Sequence, residues 1–224
     1  MRYEEFTIEG RNAVIEAYRA GRPIDKLFIL DGCQDGPILT IKREAKAKQT
    51  PVKFVTKERL DQLSETGKHQ GVIAYAAAYE YATVEEILDN ARQKGEAPFL
   101  FLLDNIEDPH NLGAIIRTAE CAGAHGVIIP RRRSVGLTAV VGKASAGALE
   151  YMPVARVANL VATIRDLKAR GIWVFGTAAD GDTTLTGADL RGPAAIVIGN
   201  EGSGMSRLVA ESCDLKVSIP LKGH

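Results

Sequence analysis

Short, continuous apolar runs alternate along the chain with longer stretches in which apolar residues recur at helical spacing. The short runs predict buried strands, and the longer stretches predict amphipathic helices. The predicted strands are Leu27–Leu30, Val52–Val55, Val72–Ala76, Phe99–Leu103, Val127–Ile129, Ile172–Phe175, Ala195–Ile198 and Lys216–Ile219. The predicted helices are Asn12–Ala20, Pro37–Gln49, Lys57–Leu63, Val84–Lys94, Leu112–Ala122, Asn159–Ala169 and Met205–Glu211. This alternation predicts an α/β fold in which a parallel sheet is covered on both faces.

A change of composition between residues 79 and 97 indicates where the chain divides. Acidic residues prevail there, and a Gly-Glu-Ala-Pro break precedes the strongly apolar run Phe99–Leu103. Because such breaks are typical of connections between domains, we interpret residues 79–97 as a linker. The predicted domains are therefore residues 1–78 and residues 98–224.

Composition places the chain among ordinary globular proteins. Of its 224 residues, 46% are hydrophobic and 25% are charged. No apolar run approaches the roughly 18 residues that span a bilayer, and the N-terminal sequence lacks the apolar core of a secretory signal. Cys33, Cys121 and Cys213 are far apart and form no CxxC pair, which favours a reducing compartment and argues against structural zinc. We therefore expect a cytoplasmic protein with no membrane partner.

The charges are balanced overall but unevenly placed. The chain has 28 Lys and Arg against 28 Asp and Glu, yet residues 42–59 contain seven basic and two acidic residues. A second basic block, Arg131-Arg132-Arg133, follows a predicted strand. Such clusters are usually solvated faces, but two of them in a neutral chain make a nucleic-acid backbone a reasonable partner. The candidate phosphate contacts in the first cluster are Lys42, Arg43, Lys46, Lys53 and Arg59.

Open parallel sheets bind ligands beyond the carboxyl ends of their strands, so the loops there are candidate sites. The first such loop runs from Asp104 to Asn111, and Asn111 is a candidate N-cap for the helix that follows. The buried stripe of that helix is predicted to consist of Leu112, Ile115, Ile116 and Ala119.

Arg117 lies off the centre of this stripe. Gly113 and Ala114, one turn earlier, are expected to leave open space for a long side chain or a ligand. The alternative is that Arg117 pairs with Glu120 and extends into water.

The second loop, Gly199–Gly204, follows an apolar strand and contains three glycines. Its spacing is neither that of the dinucleotide fingerprint nor that of a P-loop. Glu201 would repel a phosphate, so the loop favours a nucleoside-like or cationic ligand, although a plain strand-to-helix turn is also possible. The small-residue segment 143–148 is interpreted as packing. The histidines have no metal-binding spacing and no nucleophile elbow is present, so we expect no metal and no hydrolase.

Several ordered motifs resemble a known family. The runs LDNIEDPHNLGAIIRTAECAG, VGKASAGALEYMPVARVANL, IVIGNEGSGM and VSIPLKG resemble SpoU-type methyltransferases of the SPOUT superfamily. The runs IEGRNAVIEAYRAG and KHQGVIAYAAAYEY resemble the N-terminal domain of bacterial 23S rRNA guanosine-2′-O-methyltransferases. The resemblance implies a C-terminal α/β-knot domain that binds S-adenosyl-L-methionine, a homodimer, and a small ribosomal-protein-like α/β domain that binds rRNA.

The resemblance also implies roles for individual residues. Asn111 and Arg117 match the first family motif, in which the arginine is the leading catalytic residue, and Glu201 matches the second. The positions implied to contact the methyl donor are Gly199, Asn200, Ile219 and Leu221. The third motif normally continues with Ser, Leu and Asn residues that have no counterpart after Pro220. We therefore expect a C-terminally shortened chain, and a polypeptide that ends at His224 is expected to bind the donor poorly. The alternative is that the natural chain continues beyond His224.

The function expected from the resemblance is methylation of a ribose 2′-hydroxyl in 23S rRNA, on a guanosine. The alternatives are a tRNA ribose 2′-O-methyltransferase and a non-catalytic RNA-binding or assembly protein. The N-terminal domain favours rRNA over tRNA, because typical tRNA relatives lack it. Since an arginine stays protonated in proteins, Arg117 suits stabilisation of the 2′-oxyanion and of a phosphate better than proton abstraction.

Overall fold

Two separate sheets organise the chain. The computed structural model of the protein describes residues 7–220, which divide into two units. Unit 1 comprises the residues up to Glu80 with Gly136–Ala139, and unit 2 comprises Tyr81–Val135 with the residues from Val140 onward. None of the helices within residues 7–220 is long and apolar enough to cross a bilayer.

The elements of unit 1 are β1 (Thr7–Glu9), α1 (Arg11–Arg19), β2 (Ile24–Leu30), α2 (Gly36–Ala47), β3 (Val52–Val55), α3 (Lys57–Leu63) and β4 (Val72–Ala76). The elements of unit 2 are α4 (Val84–Lys94), β5 (Phe99–Leu103), α5 (Pro109–Cys121), β6 (Gly126–Pro130), α6 (Ala139–Ala144), β7 (Val154–Val157), α7 (Leu160–Ala169), β8 (Trp173–Thr177), β9 (Thr183–Thr184), β10 (Ala194–Ile198), α8 (Arg207–Ser212) and β11 (Leu215–Ser218). The first residue of α6 is counted with unit 1.

Unit 1 is a mixed four-stranded sheet in the order β1-β4-β2-β3. Strands β2 and β3 are parallel, and β4 is antiparallel to both β1 and β2. Helices α1 and α2 bury their apolar stripes on one face, where Val14 and Ile38 pack with Leu27 and Ile29 of β2. Helix α3 covers the other face, and the alternation of side chains along β2 supplies both cores.

Glu9 ties the short strand β1 to the turn after α3. Its carboxylate accepts hydrogen bonds from the backbone N–H groups of Glu65 and Thr66 and from the hydroxyls of Ser64 and Thr66. Desolvation alone would raise the pKa of Glu9, but these hydrogen bonds stabilise the ionised form and together lower the pKa to about 2.

Unit 2 is built on a seven-stranded sheet in the order β7-β6-β5-β10-β8-β11-β9, in which every pairing is parallel. The predicted α/β fold with a parallel sheet is therefore confirmed. Strand β10 lies between β5 and β8, so the carboxyl ends of β5 and β10 are neighbours. This is the place where parallel sheets bind ligands.

Helix α4 corrects the interpretation of residues 79–97 as a linker. The helix begins at a capping box formed by Thr83 and Glu86 and ends at Gly95, which is left-handed with φ 70°. Ile87 and Leu88 are buried in the core of unit 2. A Cβ on Gly126 would lie 2.5 Å from Ile87 Cδ1, so the helix packs directly onto the start of β6. Its polar outer face made it resemble a linker in the sequence.

Some elements were missed by the hydrophobic pattern. Strands β1 and β9 are only three and two residues long, too short to show a period. Strand β7, at the sheet edge, carries Arg156 within its apolar run. The segment interpreted as packing, residues 143–148, begins with the last two residues of α6, and Ala144 does pack: a Cβ on Gly113 would lie 2.4 Å from the Cβ of Ala144.

Candidate functional site

The start of helix α5 is set by Asp108 and Pro109. The Asp108 side chain accepts hydrogen bonds from the backbone N–H groups of His110 and Asn111 at 2.6 and 3.2 Å, and Pro109 occupies the first turn. The prediction that Asn111 is the N-cap is therefore wrong, because the helix begins earlier. As a result, the Asn111 side chain is available for a contact outside its own helix.

That contact is with Glu201. Asn111 Nδ2 donates a hydrogen bond of 2.6 Å to Glu201 Oε2, although the two residues are 90 positions apart in sequence. They meet because one follows β5 and the other follows β10, and these strands are neighbours. The structure thus brings together two residues that the sequence assigned to separate motifs. A hydrogen bond to a charged carboxylate is about twice as strong as a neutral one.

Asn200 organises the loop after β10. Its Oδ1 accepts hydrogen bonds from the backbone N–H groups of Gly202 and Ser203, at 2.9 and 3.1 Å, and from the Ser203 hydroxyl. Its backbone pairs with Gly204 in both directions. Gly199 is required next to it, because a Cβ there would lie 2.3 Å from the Gly204 carbonyl carbon. The Asn200 side chain is therefore engaged within the loop, which leaves the backbone of the loop as its surface for a ligand.

Two hydrogen bonds hold the loop after β10 against the loop after β5. Asn200 Nδ2 donates to the Asn105 carbonyl at 3.2 Å, and Asp104 Oδ2 accepts from the Ser206 backbone N–H at 2.6 Å. Asp104 is only 6% exposed, and Asn105 is left-handed with φ 60°. The sequence analysis did not single out Asp104. Its position directly after a buried strand was the available signal, because a carboxylate there needs donors from a neighbouring loop.

Arg117 is exposed and lies further along α5, about 9 Å from Asn111 along the helix axis at a rise of about 1.5 Å per residue. Among residues 7–220 Arg117 forms no ion pair with Glu120, so the pairing that the alternative interpretation required is absent. The expectation of open space at Gly113 is wrong, because Ala144 of α6 fills that space. Gly113 is buried in the stripe of α5, while Ile115 is only half-buried. The structure therefore places Arg117 on an open surface of α5, apart from the Asn111–Glu201 pair.

Of the two remaining positions expected to contact the methyl donor, the structure describes Ile219, which lies at the same edge of the sheet. Ile219 follows β11 directly and is 58% exposed, although it is a large apolar residue. Leu221 lies outside the described residues. Cys213, which follows α8 directly, is no candidate nucleophile, because burial raises the pKa of its thiol to about 11. Within residues 7–220 no group of three or more His, Cys, Asp or Glu residues is placed to hold a metal ion.

The basic residues of unit 1 do not form a single cluster. Lys42 and Lys46 lie on α2, whereas Lys53 is aligned with Phe28 on the face that α3 covers. Arg59 is on α3 itself, where it donates to Gln62. Arg43, on α2, has its guanidinium 3.7 Å from the carboxylate of Glu44, and its side chain is 76% exposed. The five candidate phosphate contacts are thus distributed over the two faces of the sheet of unit 1, next to its edge strand β3.

Comparisons with known proteins agree with this architecture. Residues 98–224 match the sequence model of the SpoU rRNA methylase family, and residues 7–82 match a model described as RNA 2′-O ribose methyltransferase substrate binding. The two matched models follow the two sheets of the structure, and the SpoU rRNA methylase model covers more than half of the chain. The chain belongs to the SpoU rRNA methylase family.

Two bacterial relatives show how similar the chain is to other members of the family. The chain is 47% identical over 96% of its length to the provisionally named TrmH family tRNA/rRNA methyltransferase YacO of Bacillus subtilis (strain 168), and it covers 86% of that protein. It is also 47% identical over 99% of its length to a provisionally named TrmH family tRNA/rRNA methyltransferase of Staphylococcus aureus (strain MSSA476), of which it covers 89%.

Solved structures share the fold. An AdoMet-bound rRNA methyltransferase from Sinorhizobium meliloti aligns with 99% of this chain and 80% of its own, at 26% identity and a TM-score of 0.56. The SpoU methyltransferase AviRb from Streptomyces viridochromogenes, in complex with AdoMet, aligns with 98% of this chain and 82% of its own, at 24% identity and a TM-score of 0.58. The AviRb comparison supports the fold alone.

Proposed function

We propose that this protein transfers a methyl group from S-adenosyl-L-methionine to a ribose 2′-hydroxyl of 23S rRNA, on a guanosine. The observation that carries the proposal is the Asn111–Glu201 pair, formed by the loops after β5 and β10 in a member of the SpoU family. The family description and the Sinorhizobium meliloti relative support an rRNA substrate. Such a substrate would place the activity in the cytoplasm.

The carboxyl edge of unit 2 fits the proposed donor. Ile219 offers an exposed apolar surface, and the exposed loop from Glu201 to Gly204 offers backbone groups rather than bulky side chains. Gly199 and Asn200 would contribute through their backbone, because the Asn200 side chain is already engaged. Leu221 stays a prediction from the sequence. When bound, the donor supplies a methyl group that is already activated on a sulfonium, so the chain has only to position and stabilise the nucleophile.

The chemistry required of the chain is to make a ribose hydroxyl reactive. A hydroxyl is a weak nucleophile until it loses its proton, so groups that stabilise the developing oxyanion accelerate the attack. Arg117 stays charged and offers a planar set of N–H donors. We assign to it the stabilisation of the 2′-oxyanion and the clamping of an adjacent RNA phosphate.

The Asn111–Glu201 pair has a different task in this proposal. Their mutual hydrogen bond uses Asn111 Nδ2 and Glu201 Oε2, which leaves one side-chain oxygen on each residue as an acceptor. Two fixed acceptors can orient ribose hydroxyl groups, which donate hydrogen bonds. Orientation of this kind matters because the attack on the methyl group must be in line.

The homodimer and the α/β knot implied by the family resemblance are part of the proposal. Light scattering during size-exclusion chromatography would measure the assembly directly. We expect a mass of twice 24.1 kDa, and a particle of 24.1 kDa would contradict the dimer.

The substrate is tested with RNA from a strain that lacks the gene. Purified protein, labelled donor and separated rRNA or tRNA are incubated, and the labelled nucleotide is identified after digestion. Label in a ribose-methylated guanosine of 23S rRNA is expected. Label in tRNA instead would favour the tRNA alternative, to which the names of the bacterial relatives also point. RNA binding without any methyl transfer would favour the non-catalytic RNA-binding or assembly protein.

A further inference from the structure

One phenylalanine of unit 1 is unusually exposed. Phe54, on the edge strand β3, is 54% exposed, whereas Phe28, Phe101 and Phe175 are all buried. Its position follows from the register: Phe54 is aligned with Ile29, so it lies on the face that α1 and α2 cover. Because β3 has a neighbour on one side only, the ring reaches the rim of that face instead of its core.

Lys42 is fixed beside this ring. Its Nζ lies 5.0 Å from the centre of the Phe54 ring and donates a hydrogen bond of 2.8 Å to the Cys33 carbonyl. A lysine that contacts an aromatic face and is also tied to the backbone is held in one place. Lys46 lies one turn further along the same helix and is exposed. We name the Phe54 ring, Lys42 beside it and Lys46 on the same helix the Phe54 platform.

The charge around the Phe54 platform selects its partner. A single exposed apolar residue needs no special explanation. Here, however, the ring lies beside Lys42, and the exposed Lys46 follows one turn later on the same helix. A protein partner with an apolar contact would meet unfavourable charge unless it were strongly acidic. An unpaired base of a nucleic acid satisfies both features, since bases stack on aromatic rings and phosphates pair with lysines.

We propose that the Phe54 platform binds an unpaired base of the RNA substrate, with Phe54 stacking on the base and Lys42 and Lys46 contacting the flanking phosphates. The inference rests on the proposed RNA substrate and narrows it. The substrate then contains a loop, bulge or single-stranded end, because a base within a helix has no free face to stack on Phe54.

The test compares two dye-labelled RNAs by fluorescence anisotropy with the full chain. One is a hairpin with an unpaired purine loop, and the other is a blunt-ended duplex of similar mass. Phe54→Ala should weaken hairpin binding by about tenfold, the effect of losing one base–aromatic stack, and leave duplex binding unchanged. Phe54→Tyr should restore hairpin binding. Lys46→Gln should weaken the binding of both RNAs and lower the slope of log affinity against log salt by about one.

A matched control is available in unit 2. Trp173 is also an exposed aromatic residue, 59% accessible, but it lies at the amino end of β8 in unit 2 and outside the segment 42–59. Trp173→Ala should bind both RNAs as the unchanged protein does. Because Trp173 is the only tryptophan of the chain, the double variant Phe54→Trp with Trp173→Phe carries a single fluorophore on the platform. The hairpin should quench its emission and the duplex should not.

Three results would overturn the proposal. They are unchanged hairpin affinity in Phe54→Ala, an equal loss for hairpin and duplex, and quenching by both RNAs alike. A change in oligomeric mass in Phe54→Ala with RNA binding intact would also overturn it, in favour of a protein partner. Methyl transfer by the unchanged protein is measured separately. Transfer without a Phe54 effect rejects the platform alone, and a Phe54 effect without transfer rejects the catalytic proposal alone.

Discussion

Replacing Asn200 tests whether the loop after β10 is held in place by its own side chains. In Asn200→Ala the loop loses three hydrogen bonds accepted by Oδ1 and the one that Nδ2 donates to Asn105. Each such bond contributes about 0.5–1.5 kcal/mol, and water can replace part of the loss at this exposed site. We therefore expect the closed loop to be destabilised by about 1–3 kcal/mol.

This local loss should appear in two measurements. The backbone N–H groups of Gly202 and Ser203 should exchange their hydrogens about tenfold faster, since about 1.4 kcal/mol corresponds to a factor of ten. Methyl transfer, measured as kcat/KM, should fall by a similar factor, because Glu201 lies in the same loop and would no longer be held against Asn111. The unfolding midpoint of the chain should change little, because the loop adds no apolar core.

A second variant separates the two functions of Asn200. Asn200→Asp keeps an oxygen acceptor for Gly202 and Ser203 but replaces the donor to Asn105 with a second acceptor. The loop amides should stay protected, while methyl transfer falls. The control is Asn159→Ala, which removes a helix cap at α7 with a cost of about 1 kcal/mol. It should leave methyl transfer unchanged.

The reasoning would be refuted if Asn200→Ala left both amide exchange and methyl transfer at their original values. It would also be refuted if Asn159→Ala reduced methyl transfer as much as Asn200→Ala, since the effect would then be general destabilisation. Weaker donor binding with unchanged amide exchange would instead indicate that the Asn200 side chain itself contacts the donor.

Three further predictions concern single groups of residues. Arg117→Ala should abolish methyl transfer and leave calorimetric donor binding nearly intact, with Arg165→Ala, an exposed arginine of α7, as the control; a large loss of donor binding in a folded variant would show that Arg117 is misassigned. Lys46→Gln combined with Lys53→Gln should lower the slope of log RNA affinity against log salt by about two. An unchanged slope would show that both lysines are ordinary solvated residues that do not contact RNA. Because the pKa of Glu9 is held at about 2, below its ordinary value of 4.5, its contribution to stability is present above pH 4.5 and is lost as the pH falls towards 2. Glu9→Gln should therefore flatten the acid limb of the thermal unfolding midpoint against pH, and an unaltered limb would contradict this.

The fold of unit 2 could be predicted from sequence because its central strands β6, β5 and β10 are continuous apolar runs. Fully buried parallel strands such as β5 and β10 cannot tolerate polar residues, so they are visible without any structure. Strand β3 and helix α3 were also predicted with correct bounds. Helix α4 was placed correctly but was interpreted as a linker, since only its buried side reveals that it belongs to a core.

The candidate site was less accessible to prediction. The first turn of α5 offers two cap candidates, Asp108 and Asn111, and only the structure shows that the earlier one is used. The contact between Asn111 and Glu201 depends on the sheet order, which periodicity does not determine. Phe54 gave no signal because an aromatic residue in a strand is normally part of a core. Its exposure follows from the edge position of β3.

The pairing of β5 with β10 also has a consequence for the newly made chain. The ribosome releases β5 long before β10, and the 90 residues that separate Asn111 from Glu201 must be synthesised before the two can meet. During that interval β5 lacks its partner on one side, and closing so long a loop is slow compared with local helix formation. Unit 1, by contrast, is almost complete in sequence before β5 emerges. If unit 1 binds the RNA substrate as proposed, a nascent chain would hold RNA before it could modify it, and the exposed edge of β5 would be the surface most in need of a chaperone.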